Sequence, residues 1–345
     1  MAKNKFKNAL ENEDVPYLIA ETAYIHEGDF GYLSELVDEA LKNKSCDGIK
    51  FHIMADIDSY ATRDHAVYNL IKKFLFSESQ WVQILKKVKA SGPDTIILVD
   101  DTKAIDFVKR NIRLINAVEI HACALNNIEM LEKIKSIKVP IILGIGGSEF
   151  QDIGFAVNYL HRKDILLMHG FQNYPTKYEY INFRRIQKAK EKFKLPVGYA
   201  DHTSWNDKKN KLITLGGFMS GANILEKHVT LDVGKKRTDF EAAVSMDTLK
   251  EIKEGMDALA KTKGDGSFEI NDYENVYAKK GPMKFTIVAK RDIEKGAKIT
   301  KEDLTFRRTG KENNIAQREY LDLIGKQAKE KIPMYSLINW GNVQK

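Results

Sequence analysis

Short apolar runs recur along the chain up to Thr262, and amphipathic stretches separate them. The runs fall at 17–21, 48–52, 95–99, 117–120, 140–144, 165–168, 197–200 and 223–226. Each is four or five residues long and apolar on both alternating faces, the signature of parallel strands covered on both sides. Helical periodicity fills the gaps: 32–42, 79–90, from about 103, from 126 or 127 to 135, from 148, 181–193, one segment between the last two strands, and 246–261. Ser77 and Ser79 supply N-cap chemistry for the second of these. Eight strands in βα order predict a (β/α)8 TIM barrel over residues 1–262. Turn residues dominate 263–282, read as a linker. From 283 to 345 a small, mainly β domain follows, with strands expected at 285–289 and 304–308 and a sequence echo between 292–296 and 329–333.

Composition adds limits. A chain of 345 residues suits one barrel with an appendage. No apolar run reaches the ~20 residues of a membrane span, and the basic stretch at Lys3–Lys7 has no apolar segment behind it to make a secretory signal. Two cysteines, Cys46 and Cys123, build no disulfide framework and fit a reducing cytoplasm. The formal charge is +7. Lysines and glutamates are interspersed, so the charge reads as a solvated surface rather than a nucleic-acid footprint. A pull on small anionic substrates is compatible with it.

Active sites of such barrels lie at the C-terminal ends of the strands. The residues ending the expected strands are Glu21, Lys50 and His52, Asp100 and Asp101, His121, Gly144, His169, His202, and Glu226 and His228, with His26 just beyond the first. Six of the eight histidines thus gather at one expected face. Singly, each reads as a hydrogen-bonded structural residue or as a functional one. His202 and His228 end successive strands, and two imidazoles there suit Mn²⁺, Fe²⁺ or Zn²⁺ with positions left open. Glu226 shares a strand face with His228 and reads equally as a catalytic carboxylate or as the partner of a barrel lysine. The run Gly144, Ile145, Gly146, Gly147, Ser148 leads from a strand into a helix, where exposed N–H groups can cradle an anion.

At these residues the chain resembles the sialic acid synthase family. The matching stretches include Ile19-Ala20-Glu21 with His26-Glu27-Gly28-Asp29, Ile49-Lys50-Phe51, and Tyr174-Pro175-Thr176. The last of these and the run from Pro196 to Thr203 are the most specific, and the run from Glu226 to Asp232 is nearly as specific. The small domain matches through Ile287–Gly296 and Leu323-Ile324-Gly325-Lys326, so the resemblance covers almost the whole chain in order. It implies a barrel with a C-terminal antifreeze-like (SAF) domain. The implied reaction is condensation of phosphoenolpyruvate with an N-acylated amino-sugar aldehyde, giving a nine-carbon sugar acid for surface glycans and releasing phosphate. It implies a divalent metal, Mn²⁺ foremost with Zn²⁺, Fe²⁺ or Mg²⁺ as alternatives, on His202 and His228. Glu21, Lys50, Glu226, Asp239 and Arg308 take catalytic roles, while Tyr174, His52, His121, Ser148 and Gln172 surround the substrate. Arg308 falls where the family's small domain reaches the barrel of a partner subunit, which implies a domain-swapped homodimer. Neither nucleic acid nor membrane is an expected partner.

The departures are systematic. Where the family has a lysine on the fourth strand this chain has Glu119, followed by Ile120 and His121; a serine before the Asp-His pair is Ala200; and Asp239-Phe240-Glu241 replaces Asp-His-Lys. These positions would hold the charges of phosphoenolpyruvate, and the metal half is kept. A second reading follows: a metal-dependent aldolase, epimerase or isomerase acting on a sugar without phosphoenolpyruvate.

Overall fold

A computed structural model describes residues 4–170, 173–278 and 281–344. The chain divides into two compact units, Met1–Lys263 and Gly264–Lys345. In the first, α1 (Lys5–Glu11) precedes β1 (Tyr17–Glu21), α2 (Phe30–Asn43) and β2 (Gly48–Ile53). Two short helices, α3 (Ile57–Tyr60) and α4 (Tyr68–Ile71), interrupt the way to α5 (Glu78–Ser91). Then β3 (Asp94–Val99), α6 (Thr102–Arg110), β4 (Ala117–Ile120), α7 (Ile128–Ile134), β5 (Ile141–Gly144) and α8 (Phe150–Leu160) alternate. Next come β6 (Ile165–Gly170), the short α9 (Tyr178–Ile181), α10 (Arg184–Phe193), β7 (Val197–Asp201), α11 (Asn210–Met219), β8 (Ile224–His228) and α12 (Met246–Thr262).

The eight strands pair in parallel in sequence order, and β8 returns to β1, so the sheet closes. Every residue of β1, β3, β4, β5, β6, β7 and β8 is buried, which is why these strands read as continuous apolar runs rather than alternating ones. Outward side chains such as Leu18, Phe51, Ile97, Leu143 and Leu225 form the large core against the helices. Inward ones, including Ile19, Ile96, Ile142 and Ile224, fill the lower barrel. Phe6, Ala9 and Leu10 of α1 join that inner core. The Phe6 N–H donates to Asp94 Oδ2 at 2.6 Å, and Asn223 Nδ2 donates to the Ala9 carbonyl at 2.7 Å. A helix that no periodicity announced therefore caps the end of the barrel opposite the mouth.

The second unit pairs β9 (Thr286–Ala289) with β10 (Leu304–Arg307) antiparallel. Its core holds Ile287, Ile293, Ile299, Leu323, Ile332 and Ile338. The sequence echo has a structural counterpart: Ile293 and Ile332 exchange backbone hydrogen bonds in an antiparallel bridge.

Candidate active site

Strand alternation sorts each strand end into two sets. On β2, Lys50 and His52 face the axis while Ile49 and Phe51 join the outer core. On β8, Glu226 and His228 face inward and Leu225 outward. Glu21, Lys50, His52, Glu119, His121 and Tyr174 share one cavity at the mouth with His202, Glu226, His228 and Asp239. The cavity has about 40 Å³ of free volume at its floor and opens to solvent above. Gly144 belongs here because of close packing: a Cβ would stand 2.7 Å from the Ala122 nitrogen.

At the base of the cavity, Lys50 Nζ sits 2.5 Å from Glu21 Oε2, 2.7 Å from Glu119 Oε2 and 2.7 Å from Glu226 Oε2. All four side chains are buried. Glu226 Oε2 is close but out of line for a hydrogen bond with the ammonium; its carboxyl shares a hydrogen bond with Glu21 instead. Burial and the Glu21 charge raise Glu226 well above the ordinary carboxyl range, and burial raises Glu119. Burial also pushes Glu21 upward, but Lys50 and His52 outweigh it and hold that carboxylate well below. The three carboxylates outweigh the burial of Lys50 and keep it charged. Only part of the cluster is ionised at once, and its spare proton lies on the Glu226 side.

His52 extends this network. Its Nε2 is 2.8 Å from Glu21 Oε1 and its Nδ1 3.7 Å from Asp100 Oδ2, and the Tyr24 hydroxyl donates to the same Asp100 oxygen at 2.6 Å. Burial opposes the imidazolium, yet Glu21 and Asp100 prevail and bring its pKa up to about 10. His121, 6.2 Å from His52 between ring centroids, is driven down to about 4 by burial and the His52 charge, and its Nδ1 meets Cys123 Sγ at 3.1 Å. Burial raises Asp239, which occupies a left-handed backbone position at φ 61° and accepts from the Tyr24 N–H at 3.4 Å.

The ring centroids of His202 and His228 are 5.0 Å apart, close to the ~5 Å spanned when one nitrogen of each ring lies ~2.1 Å from a shared ion. His228 Nδ1 is buried without a hydrogen-bond partner, and burial with the neighbouring His202 holds the ring neutral, the form that ligates. Among the described residues no group of three or more His, Cys, Asp or Glu side chains is arranged to hold a metal. The residues present therefore fit a divalent ion held by two nitrogens, with its other positions open to water and substrate oxygens. Tyr174 covers the pair, its ring 4.8 Å from His202 and 5.6 Å from His228.

Behind this face, Asp201 and Lys227 point outward and pair at 2.7 Å, both fully buried. Asp201 also accepts from Thr203, Thr214 and Tyr199 hydroxyls, which fixes the end of β7 immediately before His202.

Several expectations need correction or relocation. His26 and His169 do not line the cavity. His169 follows the inward Met168 and so points to the helix layer, its Nε2 bonded to the Ile181 carbonyl at 2.8 Å. His26 sits in an aromatic cage of Phe76, Phe74, Trp81 and Tyr24, where burial lowers its pKa to about 3. Asp101 caps α6 through the Lys103 and Ala104 N–H groups. Ser148 lines a different cavity, Gln172 lies outside the described residues, and Arg308 is exposed on the second unit, where its Nη2 meets Met283 Sδ. Sequence reasoning missed Tyr24 and its bond to Asp100; the unusual pair of aspartates ending β3 was the available signal.

The mouth of this closed barrel thus gathers a buried lysine–carboxylate cluster and an inward histidine pair. Residues 37–268 match the NeuB family and residues 286–343 the SAF domain. The chain belongs to the NeuB family. It is 30% identical over 312 residues to an uncharacterized protein of Methanocaldococcus jannaschii, covering 89% of this chain and 88% of that one. It is 26% identical over 351 residues to N,N'-diacetyllegionaminic acid synthase of Legionella pneumophila, covering 95% and 94%. The fold matches the N-acetylneuraminic acid (sialic acid) synthetase of Leptospira borgpetersenii with a TM-score of 0.69 at 24% identity, over 76% of this chain and 90% of that one.

Proposed function

We propose that the chain catalyses metal-dependent condensation of phosphoenolpyruvate with an amino-sugar aldehyde, yielding a nonulosonic acid. The observation that carries this is the convergence, in one NeuB-family barrel mouth, of His202 and His228 with the buried cluster of Lys50, Glu21, Glu119 and Glu226. A divalent ion on the two imidazoles, Mn²⁺ foremost, would supply a Lewis acid for the aldehyde oxygen. Glu226, kept protonated by burial and by Glu21, is placed to give a proton to the oxygen that becomes a hydroxyl. Lys50 and the His52 imidazolium balance negative charge beside it, and Asp239 and Tyr174 offer hydrogen bonds to the sugar. Arg308 would complete the site from a partner subunit in a domain-swapped homodimer. Its exposure, and its lack of a carboxylate partner among the described residues, support that role. Mixing inactive R308A subunits with inactive H202A subunits should then restore part of the activity.

One observation favours a second reading. Among the described residues Lys50 is the sole lysine or arginine lining the cavity, and Glu119 at 2.7 Å helps saturate it. A trianionic donor finds no free side-chain cation there, which suits an aldolase, epimerase or isomerase acting on a sugar alone. Phosphate release from phosphoenolpyruvate in the presence of Mn²⁺ and N-acetylmannosamine or related aldehydes separates the two. Release supports condensation; none across a broad aldehyde panel, with metal bound, supports the second reading.

A further inference from the structure

A second cavity, of about 460 Å³, opens between the β5–α8 loop and α10. That is ample for a small molecule, since such sites span roughly 300–1,000 Å³. Arg184, Arg185 and Lys188 of α10 line it, with Ser148, His169 and Glu149. Among the described residues, none of these three cations has a carboxylate within ion-pair distance or a side-chain hydrogen bond. On other helices some basic side chains are matched, such as Lys87 with Asp38, Arg110 with Glu78 and Lys133 with Asp106.

The placement of the cations opposes the local field. Arg184 and Arg185 occupy the first turn of α10, which has no acidic residue and no side-chain cap from Phe183. Positive charge at the positive end of a helix is destabilising unless an anion offsets it. His169 adds an independent sign. It is 4% exposed and lines the cavity, and while Nε2 bonds the Ile181 carbonyl, Nδ1 has no hydrogen-bond partner among the described residues. Among the same residues the Ser148 hydroxyl has none either.

We propose that this cavity binds a phosphoryl group, carried by a sugar-sized phosphate monoester or present as free phosphate. The guanidinium groups and Lys188 pair with its oxygens and the Ser148 hydroxyl donates to another, while His169 Nδ1, an acceptor because Nε2–H donates to the Ile181 carbonyl, takes the hydrogen bond of a phosphoryl OH in the singly protonated group. Glu149 is the one opposing charge on the lining and favours a monoester over a more diffuse polyanion. The site is separate from the barrel-axis cluster, so it stands whether or not phosphoenolpyruvate is a substrate.

The test uses the full chain, titrated by calorimetry with inorganic phosphate and with glucose 6-phosphate against chloride at matched ionic strength. Saturable binding of both is expected, unaffected by H202A and weakened about tenfold or more in R185Q/K188Q. Tighter binding of glucose 6-phosphate than of phosphate identifies the monoester as the ligand; equal affinity identifies the free anion. Without ligand, R185Q/K188Q should unfold at the wild-type temperature or above it, because it relieves the helix end. Absence of saturable binding, equal affinity in R185Q/K188Q and wild type, or lower ligand-free stability of that variant would each overturn the proposal.

Discussion

Replacing Glu226 by glutamine should cost no stability at neutral pH and should add some, whereas replacing Lys50 by methionine should cost several kcal/mol. Three carboxyl oxygens lie within 2.7 Å of Lys50 Nζ, so no two of them can be farther apart than about 5.4 Å. At an effective dielectric of ~20, each contact with the ammonium attracts by about 6 kcal/mol and each carboxylate pair repels by about 3 kcal/mol. The first two negative charges therefore gain on balance. A third gains about 6 kcal/mol from Lys50 and loses about the same to its two neighbours, which leaves its desolvation uncompensated. One carboxyl stays protonated, and Glu226, raised by burial and by Glu21, is the natural holder. Glutamine imitates that neutral form, so E226Q should cost less than ~1 kcal/mol near pH 4–5 and stabilise at higher pH, against a cost of ~3–5 kcal/mol for K50M, which strands buried carboxylates. The pH dependence has a definite sign. A carboxyl raised in the folded state contributes stability at low pH and loses it as pH climbs through the raised pKa. E226Q should therefore gain on the wild type by up to ~1.4 kcal/mol per pH unit between ~4.3, the unfolded carboxyl value, and the raised folded value, and the gain should level off above it. Urea unfolding from pH 5 to 9 measures both effects, and a protonated-carboxyl infrared band should vanish in E226Q. An E226Q cost equal to that of K50M at pH 7 would refute the reasoning, because the ionised form would then be the stabilising one.

His52 yields a second pH signature. Its folded pKa of about 10 exceeds the unfolded value, so its contribution is complete below ~6.5 and is lost as pH rises through about 10; H52N should flatten the alkaline fall in stability by one proton. Asp201, held at about 2 by Lys227 and hydroxyl donors despite burial, contributes stability above ~3.9 that disappears as pH falls through about 2. D201N should cost ~3–5 kcal/mol at pH 7 by stranding Lys227, read as a drop in the urea midpoint. H202A and H228A should each lose bound Mn²⁺ by elemental analysis while retaining the wild-type circular dichroism spectrum; unchanged metal content would remove the ion from the site.

The barrel was legible because its strands are buried on both faces, which prints runs such as Ile96, Ile97, Leu98 and Val99 without ambiguity of length. Period-two spacing likewise brought Lys50 with His52, and Glu226 with His228, to one side. The same periodicity, applied to β6, would have turned His169 away from the axis; nearness to a strand end was the weaker guide. The helix α1 escaped notice because only Phe6, Ala9 and Leu10 are buried along its seven residues, too short a stretch to establish a period. The saturation of Lys50 was foreshadowed by Glu119 standing in place of a lysine. That the excess charge is relieved by a proton on Glu226 depends on distances that no linear pattern carries.

The alternation at the ends of β7 and β8 also separates two mutational burdens. Outward Asp201 and Lys227 hold the wall together, while inward Ala200, His202, Glu226 and His228 line the mouth cavity. Each set can be rewritten without touching the other. A lineage, or an engineer, could exchange the inward residues for another substrate and inherit the same wall, whereas a single-residue insertion in β8 would trade Lys227 for its neighbours and ruin both at once.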